Sequence, residues 1–110
     1  LGEKMSLFPG KPTRDFVYLK DCIDANIFAA THYDELKGKA YEVTSGESRA
    51  FEDVMQVLGV KYEYLKENPL ASYQHYTCGN KQKWMPSWKP EWSLEKALDE
   101  YKKYLDKKND

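Results

Sequence analysis

Three Tyr-x-x-x-Lys spacings, Tyr33/Lys37, Tyr62/Lys66 and Tyr104/Lys108, are the first residues in this chain that could do chemistry. On a helix this spacing puts a phenol and an ammonium on one face, where the cation lowers the phenol's pKa and readies it for proton transfer. Nine tyrosines in a lysine-rich chain of 110 residues give about one such spacing by chance. Tyr62 lies in a strand-like run and the other two pairs lie at helix ends, so no catalytic residue is assigned. His75 and Cys78 form a single H-x-x-C pair without a second pair of ligands. A closed zinc site needs four, and no metal is expected. Trp84, Trp88 and Trp92 are spaced by four and would line up for stacking on sugar rings or bases along an unbroken helix. Pro86 and Pro90 break that helix, so these rings are expected to pack beneath the last helix instead. No glycines stand in the G-x-G-x-x-G spacing and there is no P-loop string, so no cofactor-binding residue is assigned.

Arg14 is the stronger candidate. It is one of only two arginines among seventeen basic side chains, and it opens RDFVYLKD, the most strand-like run of the chain. A guanidinium is a planar fork of donors that suits a diphosphate, and strand ends beside loops are where rigid scaffolds place binding groups. The alternative for Arg14 is a surface salt bridge to Asp15 or Asp21.

These residues need elements to hold them. Residues 1–13 contain Pro9, Gly10 and Pro12 and read as a loop lead-in. Phe16 to Leu19 reads as a strand, with Asp21 capping a helix from Cys22 whose apolar face is Ile23, Ile27 and Ala30. That helix is expected to end near 32–34. Residues 40–46, AYEVTSG, read as a second strand, and Ser48 as the cap of a helix carrying Phe51, Val54, Met55 and Leu58 on one face, closed by a left-handed Gly59. KYEYL at 61–65 alternates as a third strand, ended by Asn68-Pro69. Residues 72–92 predict loop with a short helical turn at 81–85. Ser93 caps a helix over 94–108 with Leu94, Ala97, Leu98, Tyr101 and Leu105 inward and an Asp99/Lys103 pair outside. Alternating short strands and helices predict a small α/β lobe with some parallel pairing, spanning residues 1–110 as one unit.

Bulk properties bound the partners. A chain of 110 residues buries about two-thirds of its unfolded surface around one core. Its net charge of −1 supplies no long-range field for nucleic acid or an anionic membrane, and neither is expected as a partner. Cys22 and Cys78 do not make a disulfide framework, so a reducing, cytoplasmic location is expected. The opening LGEKMSLFPG has no initiator Met, and the chain reads as a piece of something longer.

Three segments carry a resemblance. RDFVYLKD at 14–21 resembles the RDFVYVxD motif of the extended short-chain dehydrogenase/reductase family, the NAD-dependent nucleotide-sugar epimerases and dehydratases. YEVTSGES at 41–48 is similar to that family's YNxGSGxS strand and turn, and Trp88-Lys89-Pro90 with SLEKAL at 93–98 to its closing W-x-P…SLEEAL helix. SYQHYT at 72–77 resembles the RYQxFT segment of the ADP-glycero-manno-heptose 6-epimerase-like members, although Ser72 replaces the arginine, Asn80 the acidic residue that follows, Glu42 an Asn and Thr44 a Gly. The resemblance implies the C-terminal, substrate-binding part of such an enzyme, with the Rossmann cofactor domain and the catalytic Tyr/Lys pair lying outside this chain. It also implies Arg14 on the diphosphate of a nucleotide sugar, Tyr73 as a second substrate contact and Gln74 as a third. NAD or NADP is then the cofactor of the complete enzyme, bound by the N-terminal domain and not by this chain, which would not turn over alone. Apolar surface meant for that domain would expose a patch, so a homodimer is expected. The alternative is a stand-alone, non-catalytic binding or interaction module of the same ancestry.

Overall fold

The structure, a computed structural model, describes residues 4–108. Two short sheets and four helices alternate along the chain. The first strand, Met5–Leu7 (β1), pairs in parallel with Tyr62–Tyr64 (β4), Met5 opposite Tyr62. The second, Thr13–Asp15 (β2), pairs antiparallel with Ser48–Ala50 (β3), Arg14 opposite Arg49. Helices occupy Leu19–Thr31 (α1), Tyr33–Leu36 (α2), Phe51–Leu58 (α3) and Leu94–Lys108 (α4), with a 3-10 turn at Lys81–Lys83. The result is the mixed α/β lobe that the alternation predicts, including one parallel pair.

The molecule is a slab of 51 × 42 × 16 Å with a radius of gyration of 16.8 Å. A compact chain of this length has about 13 Å, so this one leaves more of its apolar side chains at the surface. Its core is split. Ala25, Leu36, Met85 and Trp88 are buried together, with Phe28, Tyr41, Val43 and Trp84 packed around them. Across the slab, α3 packs on α4, and Met55, Val60 and Ala97 are buried.

Several elements behave as their residues dictate. Helix α3 buries Met55 and part-buries Phe51, Val54 and Leu58, and Gly59 closes it at φ +70°, with its N–H on the Gln56 carbonyl at 3.2 Å and the Val60 N–H on Met55 at 3.0 Å. This is the left-handed cap for which glycine, lacking Cβ, is favoured. Helix α4 begins where Ser93 Oγ accepts the Lys96 N–H at 3.1 Å, and Lys103 meets Asp99 at 3.1 Å on its outer face.

Others differ for identifiable reasons. The 1–13 lead-in is not all loop, because β1 finds a partner in β4, and β2 starts at Thr13. Residues 16–18 form no strand, and α1 begins at Leu19 with Tyr18 as its N-cap. Asp21 is therefore not the cap. It sits within the first turn, 2% exposed, and its carboxylate accepts the Glu91 N–H at 2.9 Å and the Trp92 N–H at 3.2 Å. The inner face of α1 is Asp21, Ala25, Phe28 and Ala29, while Ile23 and Ile27 are 50% and 59% exposed and Ala30 also faces outward. Residues 40–46 have no ladder among the described residues. Ser48 opens β3, and Ala50 is the N-cap of α3, its N–H received by Asp53 Oδ2 at 3.2 Å. Trp84 and Trp88 pack against α1 and not under α4, the Trp88 indole N–H reaching Asp24 at 3.1 Å.

Candidate functional site

Strand β2 carries Arg14 and Asp15, and the surroundings separate their roles. Opposite residues of an antiparallel pair lie side by side, and two like charges there repel. Arg14 faces Arg49 in this register. The two are not equivalent, however, because Glu95, Glu47 and Asp53 surround Arg49 at 2.6, 3.1 and 3.2 Å. Glu95 above all, then Asp53, holds the Arg49 guanidinium above its already high ordinary pKa against the cost of desolvation, and Arg49 in turn lowers the Glu95 carboxyl. Arg49 is neutralised in place. Arg14 meets no carboxylate within ion-pairing distance among the described residues.

The salt bridge from Arg14 to Asp15 or Asp21 is absent because both carboxylates are already engaged. Asp15 Oδ1 accepts the Ser45 N–H at 2.8 Å and the Ser45 hydroxyl at 2.6 Å, and Oδ2 accepts the amides of Gly46 and Gly79, each at 2.8 Å. Burial would raise the Asp15 pKa, but the bonds from Ser45 Oγ and the three amides outweigh it and hold the carboxyl below its ordinary value. Two backbone segments, at 45–46 and at 79, approach closely around this carboxylate, and each carries a glycine. A Cβ on Gly79 would stand 1.9 Å from Thr44 Oγ1, and Gly46 has φ +74°.

Arg14 Nη1 donates to the Thr13 carbonyl at 2.8 Å, and its Cζ lies over the Tyr73 ring at 4.9 Å and over the Phe51 ring at 5.7 Å from the centroids. Tyr73 arrives beside it because the following residues run alongside β2: the Thr13 N–H bonds to the His75 carbonyl at 2.8 Å, the Thr77 N–H to Thr13 at 3.2 Å, and the Asp15 N–H to Thr77 Oγ1 at 3.1 Å. Phe8 meets Tyr73 edge-on at 5.1 Å. A concavity of about 400 Å³ results, lined by Phe8, Arg14, Pro69, Leu70, Ser72, Tyr73 and Gln74. All three sequence-predicted contact residues, Arg14, Tyr73 and Gln74, thus line one hollow. Phe8 and Phe51 belong with Arg14 but were not among them. Phe51 is legible only as the first residue of a helical stripe, and Phe8 only as part of a loop.

The other candidates lie elsewhere. Tyr62 is in β4, Tyr33 and Tyr104 are exposed on α2 and α4, and none lines this hollow. His75 stands edge-on to Tyr73 at 5.6 Å, Cys78 is exposed, and no group of three metal-ligating side chains comes together among the described residues. No described helix is long and apolar enough to cross a membrane. A second groove, of about 760 Å³, runs between the start of α1 and α4, floored by Phe16, Leu19, Ile23, Leu98 and Tyr101. Lys20, paired with Glu100, and Lys96 lie over the Trp92 ring at its edge.

A dinucleotide needs closely spaced glycines that lead a strand into a helix so that amides reach the pyrophosphate. The glycines of this chain are at 2, 10, 38, 46, 59 and 79, too far apart for that turn. The glycine-rich turn that cradles a dinucleotide pyrophosphate is therefore not among this chain's motifs.

Comparison with known proteins bears on the fold and on the first 44 residues. Residues 1–44 match the NAD dependent epimerase/dehydratase family. No curated protein matches the chain. Among solved structures, that of RMD from Pseudomonas aeruginosa complexed with NADPH superposes with a TM-score of 0.74 over 96% of this chain at 19% identity. The chain spans 36% of that protein's length. The lobe thus has the fold of one part of a larger NADPH-bound protein, and its first two-fifths carry sequence similar to the NAD-dependent epimerases and dehydratases.

Proposed function

We propose that this chain is the nucleotide-sugar-binding, C-terminal part of an NAD(P)-dependent sugar-nucleotide epimerase or dehydratase, without catalytic competence of its own. One observation carries the reading: Arg14, which meets no carboxylate among the described residues, presents its guanidinium to a concavity that also holds Tyr73 and Gln74. A guanidinium face-on to an aromatic ring keeps its in-plane N–H donors for a planar or tetrahedral anion. On this reading Arg14 binds the diphosphate, while Tyr73 and Gln74 supply further contacts to the substrate. The cofactor belongs to the portion outside this chain, and the lobe contributes one wall of the substrate pocket.

Calorimetric titration with ADP-, UDP- and GDP-linked sugars tests it. Binding of at least one is expected, weakened in Arg14→Ala by about 1.5–2 kcal/mol, roughly tenfold to thirtyfold, the value of a charge-assisted hydrogen-bond pair open to water. Equal affinity in the two proteins refutes a phosphate contact.

The partner expected on this reading is the cofactor domain, resting on the apolar surface of Leu19, Ile23 and Ile27, which are 67%, 50% and 59% exposed. Exposed apolar surface of this kind drives association. The lobe alone is therefore expected to self-associate at tens of micromolar, and light scattering that returns only the monomer mass over that range contradicts it.

A further inference from the structure

We infer that Phe51 is a positioning residue for anion binding, forming with Tyr73 a pair of rings that fixes the plane of the Arg14 guanidinium. The inference rests on the reading of Arg14 as a phosphate contact. Arginine is a long, rotamer-rich side chain, and ordering it at the moment of binding subtracts from affinity. Here the ordering is done in advance. The guanidinium is tied at one end by its bond to the Thr13 carbonyl at 2.8 Å, and its carbon contacts rings from two separate elements, Phe51 at 5.7 Å and Tyr73 at 4.9 Å.

Each ring is itself held from behind. Phe51, the first residue of α3, is met edge-on by Phe16 at 5.5 Å and 84°. Tyr73 is met by Phe8 at 5.1 Å and His75 at 5.6 Å, and its segment is bonded to Thr13. Phe16, Phe51, Arg14, Tyr73 and Phe8 therefore form one continuous train of contacts, with the cation in the middle and no carboxylate among the described residues fixing it. Contact with ring faces, unlike a salt bridge, leaves the N–H donors that Thr13 does not take for the ligand. A carboxylate in place of the rings would hold the arginine as firmly but would consume those donors, as happens at Arg49.

Titration of the 110-residue chain with inorganic pyrophosphate and with ADP-glucose, alongside nitrogen-15 NMR of the Arg14 Nε–H, tests the inference. Phe51→Leu is expected to bind about five- to tenfold more weakly, the value of one cation–π contact, and Phe51→Trp to bind within about twofold of wild type, since it restores a ring. The Arg14 Nε–H resonance is expected to lose the part of its ring-current shift that Phe51 supplies in Phe51→Leu while the backbone amide spectrum elsewhere is unchanged, a result that a merely structural role does not give. Phe51→Met carries the same expectation and stands in if Phe51→Leu does not fold. Full affinity in Phe51→Leu, with binding lost in Arg14→Ala, overturns the inference and leaves the phosphate contact standing. Undiminished affinity in Arg14→Ala overturns the phosphate contact itself.

Discussion

Replacing Asp15 by alanine is expected to destabilise the chain by about 3–4 kcal/mol, a large share of the 5–15 kcal/mol that holds a domain together. The cause is not the lost charge alone. Four donors converge on that carboxylate, from Ser45 N, Ser45 Oγ, Gly46 N and Gly79 N, and three of them are backbone groups with no other acceptor among the described residues. These bonds join β2 to two loops that approach from 30 and 64 residues away. Alanine removes the acceptor from all three amides and from the Ser45 hydroxyl at once. Asp15→Asn keeps one acceptor but turns an NH₂ toward two N–H groups, and is expected to recover less than half of the loss.

The pH dependence of that effect has a definite sign. The folded-state pKa of Asp15 lies below its ordinary value, so its contribution is complete above about pH 5, where folded and unfolded chains both carry the charge. As the pH falls through the ordinary value and then the folded one, the unfolded state takes up the proton first and the contribution disappears. Urea denaturation of wild type and Asp15→Asn is therefore expected to give stability curves that are well separated at pH 7 and converge in acid. Parallel curves from pH 7 to pH 2.5 contradict the assignment.

The same joint shows how far sequence carries and where it stops. Arg14, Tyr73 and Gln74 were legible through local motifs, and the hollow they line follows from the pairing of residues 75–77 with β2. Asp15 was legible only as a neighbouring charge, because nothing local in RDFVYLKD announces two glycine turns that lie far along the chain. Residues 40–46 have the alternation of a strand, yet a strand exists only as one member of a pair. Here the Glu42 N–H bonds to the Lys83 carbonyl at 2.8 Å, Asp15 takes the amides of Ser45 and Gly46, and no second strand runs alongside among the described residues.

Helix α1 teaches a different limit. Ile23, Ile27 and Ala30 share one helical spacing, and Asp21, Ala25, Phe28 and Ala29 share another, offset by two residues. Periodicity establishes the helix but cannot choose between two apolar faces. The structure buries the face that contains the aspartate, whose carboxylate accepts two backbone N–H groups, and leaves Ile23 and Ile27 half exposed.

That choice leads to the second large effect, at Asp21. Its 2% exposure and its two acceptor bonds, to the N–H groups of Glu91 and Trp92 at 2.9 and 3.2 Å, make it a bracket between the first turn of α1 and the segment that feeds α4. Lying in the first turn of the helix, the carboxylate also complements the positive end of the helix dipole. Asp21→Ala removes both acceptors and leaves two amides without partners, which is expected to cost about 3 kcal/mol. Asp21→Asn offers one carbonyl oxygen and is expected to keep about half of that. The released segment carries Trp92, whose ring lies 5.0 Å from that of Tyr18 and under Lys20 and Lys96. Loss of the bracket should therefore be read first as a red shift in tryptophan emission below the unfolding midpoint, as that ring meets water. An Asp21→Ala protein with wild-type stability and unchanged emission means that the buried carboxylate holds nothing together. In that case the burial of this face of α1 rests on Ala25 and Phe28 alone.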